Sequence, residues 1–465
     1  MPLLILKNFR IVDETTDAPG SVIVEDGFIR EVRTDSRYGG GTGYSSADIV
    51  LDGGLTSQNS GLVLMPAFVD LHAHFRDAGG EARLPSETLE SACLAAAAGG
   101  YGTVVCMANT VPVTDTIARA RSVKNRCDAL GIIDVYPALS LTKGMEGKEL
   151  SEITLLPGEQ EEPRAGHIVR NDCIRLVSED GKDVADEALL LSAMAEARRI
   201  EIPEGNGADF RSRGRPAVRG GIPLSCHCDL GGENNAVQRI LELGKRSPCR
   251  LHIAHVSTKE AAAMIREAKK DSALFSCEAT PHHIALTEKD AAALGGVSHG
   301  RVNPPLGTEE DRQALIAAVR DGTIDAIATD HAPHSRADKE KGAPGFTGLE
   351  TAFAVCYSTL VAPEGDGPAG FRREAAGPIN LSRLSALMSA APAGILGLNG
   401  QDGRGRIAPG MRADFAVADL SAVWTADPAA FMSRGKNSPF AGRKLKGKIV
   451  MTIRGGRVVY NGGGI

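Results

Sequence analysis

The 465-residue sequence lacks several features that would assign it to a specialised class of protein. No apolar run approaches the roughly 20 residues that a helix needs to cross a bilayer. The N-terminal stretch MPLLILKNFRIVDE lacks the cationic start and long apolar core of a signal peptide, so we expect a strand there. Basic residues do not outnumber acidic ones (52 against 58), so neither nucleic acid nor a membrane surface is expected as a partner. The nine cysteines show no paired spacing, which predicts free thiols in a reducing cytoplasm.

Two kinds of pattern divide the chain. Residues 1–62 and 401–465 carry apolar stretches separated by turn signals, and the run from Val22 to Val32 around Asp26-Gly27 predicts a β-hairpin. Residues 63–400 alternate short apolar runs with alanine- and leucine-rich helical segments, several of which begin on Ser, Thr or Asp, as helix N-caps do. We therefore predict an α/β protein, in which a (β/α)8 TIM barrel at 63–400 carries a small composite β-sandwich domain formed by both chain ends.

Eight apolar runs are predicted as barrel strands. They are Leu62–Leu71, Thr103–Met107, Ile133–Leu139, Cys173–Val177, Pro223–His227, Arg250–His255, Ala273–Cys277 and Asp325–Thr329. After the eighth run, ETAFAVCYSTLV predicts a helix and LSRLSALMSAAPAGILGL a helix pair. Residues 39–43 predict a flexible turn, and 363–378 a surface loop, because both are rich in glycine.

The stretch MPAFVDLHAHFRD, at the end of the first barrel strand, carries the first sign of chemistry. Alternation along a strand sends His72 and His74 to the same side, where two imidazoles can hold one divalent metal ion. An HxH alone is more often a pair of ordinary histidines. Further imidazoles and carboxylates, however, lie at the ends of later predicted strands, and the carboxyl ends of barrel strands converge on one mouth. The resulting candidate metal ligands are His72, His74, Asp180, His227, His255 and Asp330.

Four imidazoles and two carboxylates suit zinc or a similar divalent ion. A carboxylate such as Asp180 could bridge two metals, and metal binding lowers the pKa of water to about 7, which supplies a nucleophile at neutral pH. Asp330 could take the proton of that water and pass it to a leaving nitrogen. The set therefore predicts metal-assisted hydrolysis, or its reverse, at an amide-type carbonyl.

Seven stretches of this sequence resemble the dihydroorotases of the amidohydrolase superfamily, in their class I-like branch. They are MPAFVDLHAHFRD, AAAAGGYGTVVCMANTVPVTD, SEDGKDV, HIAHVST, EATPHH, RVNPPL and ATDHAPH, in order between residues 60 and 350. The resemblance implies that the six candidate ligands bind metal, with Asp330 also catalytic. It further implies that Arg76, Asn109 and His334 hold the substrate carboxylate and that Asn303 holds the pyrimidine ring.

The implied activity is the reversible cyclisation of N-carbamoyl-L-aspartate to L-dihydroorotate in pyrimidine (UMP) synthesis, with one or two Zn²⁺ per subunit. The resemblance also implies a cytoplasmic homodimer that can associate with aspartate transcarbamoylase. By the same comparison, His252, His282 and His283 are expected to be structural. The segment after Val302 is a candidate for the loop that closes over substrate.

The sequence departs from the family pattern at three places. The fourth strand ends in SEDG, where many relatives carry a carboxylated lysine, so Asp180 must take the place of that metal ligand. The family's usual MPNT is MANT in this sequence. Glu204–Gly221 forms an insertion of unknown role. Two alternatives stay open. Another cyclic amidohydrolase, such as an allantoinase or hydantoinase, would not need Arg76 and Asn109, because its substrate is neutral. A non-catalytic scaffold would lack metal ligands, whereas all six are present.

Overall fold

The computed structural model describes residues 3–34, 48–55, 61–77, 86–156, 173–200, 221–362, 377–400 and 403–463. Three predicted features therefore lie wholly or mostly outside the described residues: the turn at 39–43, the insertion at 204–221 and the loop at 363–378. Within the described ranges, no helix combines the length and apolar character that crossing a membrane would demand.

The strands are β1 (Leu4–Val12), β2 (Asp17–Glu25), β3 (Phe28–Arg33), β4 (Ile49–Asp52), β5 (Val63–Pro66), β6 (Phe68–Ala73), β7 (Tyr101–Cys106), β8 (Asp134–Pro137), β9 (Val177–Ser178), β10 (Leu224–Cys226), β11 (Leu251–Ile253), β12 (Phe275–Ala279), β13 (Ala326–Ile327), β14 (Phe415–Thr425), β15 (Lys444–Arg454) and β16 (Arg457–Asn461). The α-helices are α1 (Leu89–Ala98), α2 (Ile117–Leu130), α3 (Glu187–Arg199), α4 (Glu233–Arg246), α5 (Lys259–Asp271), α6 (Pro281–Ala285), α7 (Glu288–Ala293), α8 (Glu309–Asp321), α9 (Arg336–Glu340), α10 (Ala352–Cys356), α11 (Leu381–Ser385) and α12 (Ala391–Ile395). Short 3₁₀ helices occupy Lys143–Met145, Glu152–Leu155 and Pro428–Ala430.

A mixed sheet combines strands from both ends of the chain, in the order β16-β15-β14-β5-β1-β2-β3, with β4 beside β1. The predicted hairpin is present as β2 and β3, and Asp26 and Gly27 in its turn both have positive φ (53° and 83°), as a two-residue turn of this kind requires. The turn between β2 and β3 lies against the turn between β15 and β16. The two backbones are so close that a Cβ on Gly27 would lie 3.0 Å from the carbonyl oxygen of Gly455. The composite β domain therefore encloses its own apolar core. The exact limits at 62 and 400 stay predictions.

The predicted strand Leu62–Leu71 is wrong in one respect, because the chain changes sheets within it. Strand β5 belongs to the mixed sheet, where it pairs with β1 and β14. The chain switches at Ala67, whose N–H donates to the carbonyl oxygen of Asp414, while the next N–H, that of Phe68, donates to Gly100. A continuous apolar run does not reveal such a switch, since both halves are buried.

In the described part of the chain, eight parallel strands form a closed ring. Sheets β6-β7-β8 and β9-β10-β11-β12-β13 are joined by parallel bridges from Leu139 to Val177 and from Ala73 to His331. Asp70 reinforces the second seam, because its carboxylate accepts hydrogen bonds from the N–H (3.0 Å) and hydroxyl (2.5 Å) of Thr329. The predicted eight-stranded barrel is therefore present, and each predicted run overlaps one of its strands.

Helices pack around the ring, and their ends follow the predicted N-caps. Side chains at the helix starts accept hydrogen bonds from backbone N–H groups three residues on, as at Thr116, Asp186 and Thr258. The predicted helix pair at the C-terminal side is one continuous helical run, in which π-helical Ala386–Ala390 joins α11 to α12. Its last residues pack on inward-facing side chains of the barrel and close that end. The chemistry is thereby confined to the opposite mouth.

Asp134, at the start of β8, joins the barrel to the β domain. Its buried carboxylate accepts hydrogen bonds from Arg404, from Arg412 (2.6 Å) and from Arg454 (2.6 Å). Burial alone would raise the pKa of Asp134, but the three guanidinium groups hold it well below its usual range. The carboxylate is therefore ionised, and it compensates several buried positive charges at once.

We expect Asp134→Ala to lower the free energy of unfolding by about 3–5 kcal/mol, because Arg454 then loses its ion pair and Arg404 and Arg412 keep only Asp414 as a partner. Urea unfolding followed by circular dichroism measures this. Asp17→Ala is the matched control, since Asp17 forms an exposed pair with Arg10, and its removal should cost at most about 1 kcal/mol. Equal effects of the two substitutions would contradict a joining role for Asp134.

Candidate metal centre

The six candidate ligands lie at the carboxyl ends of five barrel strands. His72 and His74 end β6, Asp180 follows β9, His227 follows β10, and His255 and Asp330 follow β11 and β13; all six are buried. The backbone is strained at several of these ends, since His255 and Asp330 have φ of 33° and 47°. Non-glycine residues adopt such angles at a cost, and they do so mainly where the surrounding structure fixes a functional side chain.

Asp180 lies at the centre of the cluster and belongs to two groups of possible ligands. One group is His72, His74 and Asp180, the other Asp180, His227 and His255, and within each group the ligand atoms all lie within 4.8 Å of one another. Asp180 Oδ1 is 3.2 Å from both His72 Nε2 and His227 Nδ1. Asp330 Oδ1 closes the cluster at 3.0 Å from His74 Nε2. The structure thus brings together all six residues that the sequence singled out.

Three of the four histidines have a partner on the ring nitrogen that faces away from the cluster. His72 Nδ1 contacts Glu278 (2.9 Å), and His74 Nδ1 contacts the side-chain oxygen of Asn109 (2.8 Å). Because both partners are acceptors, each Nδ1 carries a proton, and each Nε2 is the nitrogen that could bind a metal ion. His227 Nε2 lies 2.9 Å from the side-chain nitrogen of Asn303.

Glu278, on β12, is the residue that the sequence analysis did not identify. It is fully buried, and its second oxygen accepts from His252 Nε2 (3.0 Å), while His252 Nδ1 lies 2.9 Å from the Ser276 hydroxyl. Burial alone would raise the pKa of Glu278, but the hydrogen bonds from His252 and His72 lower it to about 2, so the carboxylate is ionised. The stretch EATPHH contained the signal: a carboxylate near the end of a barrel strand.

His282 and His283 lie in α6, beside the mouth, and their contacts agree with the structural role expected of them. His283 Nε2 donates to the carbonyl oxygen of Pro304 (3.0 Å), and its Nδ1 contacts the Thr280 hydroxyl (2.8 Å). His282 packs edge-on against Phe346. Burial lowers the pKa of both imidazoles, that of His283 to about 4, so both are neutral at physiological pH.

The four residues predicted to bind substrate fall into two pairs. Arg76 Nη2 lies 3.5 Å from His334 Nε2, and Arg76 Nε is buried with no hydrogen-bond partner among the described residues. His334 is neutral, because burial and the nearby Arg76 charge lower its pKa to about 4. Asn109 and Asn303 instead contact the candidate metal ligands His74 and His227, as described above. All four therefore adjoin the cluster.

The charges and donor atoms of the cluster fit a divalent cation. Asp180, Asp330 and Glu278 bury three carboxylates together, an arrangement that is costly unless positive charge compensates it. Burial would lower the pKa of His72, yet the charge of Asp180 raises it, as expected where carboxylates outnumber fixed positive groups. His72 Nε2 is buried beside the Asp180 carboxylate, at 3.2 Å, without a well-oriented hydrogen bond in the described structure. Imidazole nitrogens and carboxylate oxygens converging on such a point can hold a metal ion.

Comparisons with known proteins agree with this geometry. The sequence profile of the amidohydrolase family matches residues 63–459. A dihydroorotase of Clostridium botulinum (strain Eklund 17B / Type B) is 34% identical over 465 residues, 98% of this chain and 99% of that protein. A dihydroorotase of Anaeromyxobacter dehalogenans (strain 2CP-C) is 38% identical over 408 residues, 86% of each chain. Among solved structures, the L-hydantoinase (dihydropyrimidinase) of Arthrobacter aurescens superposes with a TM-score of 0.75 at 23% identity, over 100% of this chain and 97% of that one.

We expect Glu278→Gln to weaken zinc binding by about 10- to 100-fold, because an amide offers one acceptor where two imidazole N–H groups need acceptors. Competition with a chromophoric chelator measures the affinity without reference to activity. Glu350→Gln is the matched control: it also changes a largely buried carboxylate, but one that accepts from the backbone N–H groups of Met432 and Ser433. Unchanged zinc affinity in Glu278→Gln would contradict the assigned role.

Proposed function

This chain belongs to the amidohydrolase family and, within it, to the dihydroorotases, and from this premise we propose how its residues perform the reaction. The reaction is the reversible cyclisation of N-carbamoyl-L-aspartate to L-dihydroorotate in pyrimidine synthesis. The substrate carries a carboxylate in both directions. The enzyme therefore needs a buried positive group beside the reacting carbonyl, in addition to the metal centre.

The buried guanidinium of Arg76, which lies beside His334 at the edge of the cluster, is the observation that carries this proposal. Arg76 follows the HxH pair by two residues, and its buried Nε lacks a partner among the described residues, so the guanidinium can still bind a ligand there. A guanidinium pairs with a carboxylate through two parallel hydrogen bonds. A neutral ring such as hydantoin would leave that positive charge uncompensated, which favours the anionic substrate over the runner-up amidohydrolases.

We assign the metal ligands to His72, His74, Asp180, His227, His255 and Asp330, and the metal to zinc. Imidazole-rich sites with carboxylates favour this ion. Because Asp180 belongs to both ligand groups, these six residues could hold either one ion or two. When bound, the metal lowers the pKa of water to about 7 and polarises the reacting carbonyl.

Asp330 is the catalytic residue of the proposal. In the hydrolytic direction, water attacks the ring carbonyl carbon, a carbon–oxygen bond forms, and the carbon–nitrogen bond breaks. Asp330 accepts the proton of the attacking water and delivers it to the leaving nitrogen. Hydrogen bonding from His74 and the nearby imidazoles hold the pKa of Asp330 below its usual range despite burial, so it begins as the base. Cyclisation follows the same proton path in reverse.

Asn109 and Asn303 each have two roles in this proposal. Asn109 contacts the proposed metal ligand His74, and Asn303 contacts His227. By the family resemblance, both also bind the substrate. A carboxamide has an oxygen and two N–H donors, so one group can orient an imidazole and still offer a hydrogen bond to the substrate.

The nine cysteines support a cytoplasmic location, because all are described as buried free thiols. The homodimer and the association with aspartate transcarbamoylase remain proposals from the resemblance alone.

The purified protein should hydrolyse L-dihydroorotate and cyclise N-carbamoyl-L-aspartate, with little turnover of hydantoin or allantoin. Dialysis against a zinc chelator should abolish both activities, and added Zn²⁺ should restore them, because the donor set requires a cation. Chromatographic separation of the two compounds follows turnover, and elemental analysis counts the zinc. An inactive, metal-free protein would favour the scaffold alternative, whereas turnover of hydantoin in preference to dihydroorotate would overturn the proposed substrate.

Arg76→Met should lower kcat/KM for dihydroorotate by about 100-fold, mainly through KM, since it removes a two-point contact with the substrate carboxylate. Any residual turnover of dihydrouracil, which has no carboxylate, should not fall with it. Arg126→Met is the matched control, because Arg126 forms an exposed pair with Asp77. An equal loss on both substrates would contradict carboxylate recognition by Arg76.

A further inference from the structure

The connection between β14 and β15 reaches from the β domain to the barrel mouth. We call residues 426–443 the crossing segment. Its two ends are held together, because the N–H of Ala426 donates to the carbonyl oxygen of Arg443 (2.9 Å) and the N–H of Gly442 to that of Ala426 (2.8 Å). The residues between these ends lie against the loop that follows the eighth barrel strand, residues 331–347, which carries His334. We call the latter the eighth-strand loop.

Asn437, in the crossing segment, makes its side-chain hydrogen bonds to the backbone of that loop. Its amide oxygen accepts from the N–H of His334 (3.0 Å), and its amide nitrogen donates to the carbonyl oxygens of Ala332 (2.9 Å) and Gly345 (3.0 Å). The acceptor and both donors of one side chain therefore hold two distant parts of the loop together. No other amide side chain in the described structure contacts the N–H of His334.

The crossing segment is itself fixed against the barrel. A Cβ on Gly435 would lie 2.5 Å from the Cβ of Pro333, so only glycine allows this close approach. Glu350 accepts hydrogen bonds from the N–H groups of Met432 (2.8 Å) and Ser433 (3.0 Å), and Glu87 accepts from that of Arg434 (3.0 Å). These contacts leave Asn437 little freedom to move away from the loop.

The support extends to the loop that carries Asn303. Lys339, which is almost fully buried, donates to the carbonyl oxygens of Arg301 (2.8 Å) and Gly345 (3.0 Å), and so ties the two loops together. Phe440 of the crossing segment shares an apolar cluster with Val302 and Phe346, one from each loop. Movement of the crossing segment would therefore disturb both loops.

We propose that Asn437 is a positioning residue for substrate binding, through which the β domain sets the place of His334 at the barrel mouth. This inference rests on the proposed function, in which His334 and Arg76 hold the substrate carboxylate. Asn437 acts through the loop backbone and has no contact with a candidate metal ligand. Its loss should therefore affect the binding of substrate more than the chemical step or the metal content.

Asn437→Ala should raise KM for dihydroorotate about 10- to 100-fold while kcat falls far less, because a misplaced binding group weakens binding without removing the reacting groups. Zinc content should be unchanged. Amide hydrogen exchange of residues 331–347, read by mass spectrometry in zinc-loaded protein, should become faster. Asn437→Asp gives a second variant of nearly equal volume, which keeps the acceptor for His334 but replaces the donor to the two carbonyl oxygens, and it should show the same changes.

Asn380→Ala is the matched control, since Asn380 caps α11 through a hydrogen bond from the N–H of Arg383 (2.8 Å). It removes the same side chain and should leave KM and the exchange of the loop unchanged. If Asn437→Ala does not fold, Asn437→Asp decides the question. Wild-type KM and loop exchange in the folded variant would overturn the inference. An inactive wild-type protein would overturn the proposed function instead, while the exchange measurement would still report on the loop.

Discussion

The burial of the Asp180 carboxylate among four imidazoles is the constraint on which the rest of the site depends. A carboxylate with its surface almost wholly removed from water is tolerable only where positive charge or hydrogen-bond donors surround it. Several strands supply the imidazoles that surround this carboxylate, because the ends of β6, β9, β10 and β11 converge at Asp180. The barrel mouth is thereby a place where negative charge accumulates until a cation is bound.

The lone pairs must also face the cation, and this depends on residues deeper in the barrel. Glu278 fixes the proton of His72 on the outer nitrogen, and Asn109 does the same for His74. Glu278 also accepts from the buried His252, whose other ring nitrogen contacts the half-buried Ser276 hydroxyl. Buried polar groups of this kind are stable only when each member has a partner, so the set is rigid as well as charged. Rigidity at this depth keeps the ligand atoms in place.

The sequence predicted which polar residues meet at the barrel mouth, because their positions follow from local rules. An imidazole or carboxylate directly after an apolar run reaches the mouth whatever the rest of the chain does, and this rule placed all six candidates. Glu278 satisfies the same rule, but its role depends on a hydrogen bond with His72, more than 200 residues away, which the rule does not reveal. Nor does the rule reveal the role of Asn437, because nothing in GKNSPF says that this stretch will lie against Pro333. The switch of sheets at Ala67 was hidden because both neighbouring strands are buried.

The candidate metal site and the proposed substrate site are in direct contact, through Asn109 and Asn303. Asn109 and Asn303 each adjoin a candidate metal ligand and, through the family resemblance, the substrate. Arg76 follows His74 by two residues, so the same strand end brings its guanidinium close to the cluster. Burial lowers the pKa of both Arg76 and His334, which shows that the fold bears a cost to keep them close to the cluster. In the proposed function, a substrate carboxylate would offset that cost, because it would pair with the buried guanidinium of Arg76.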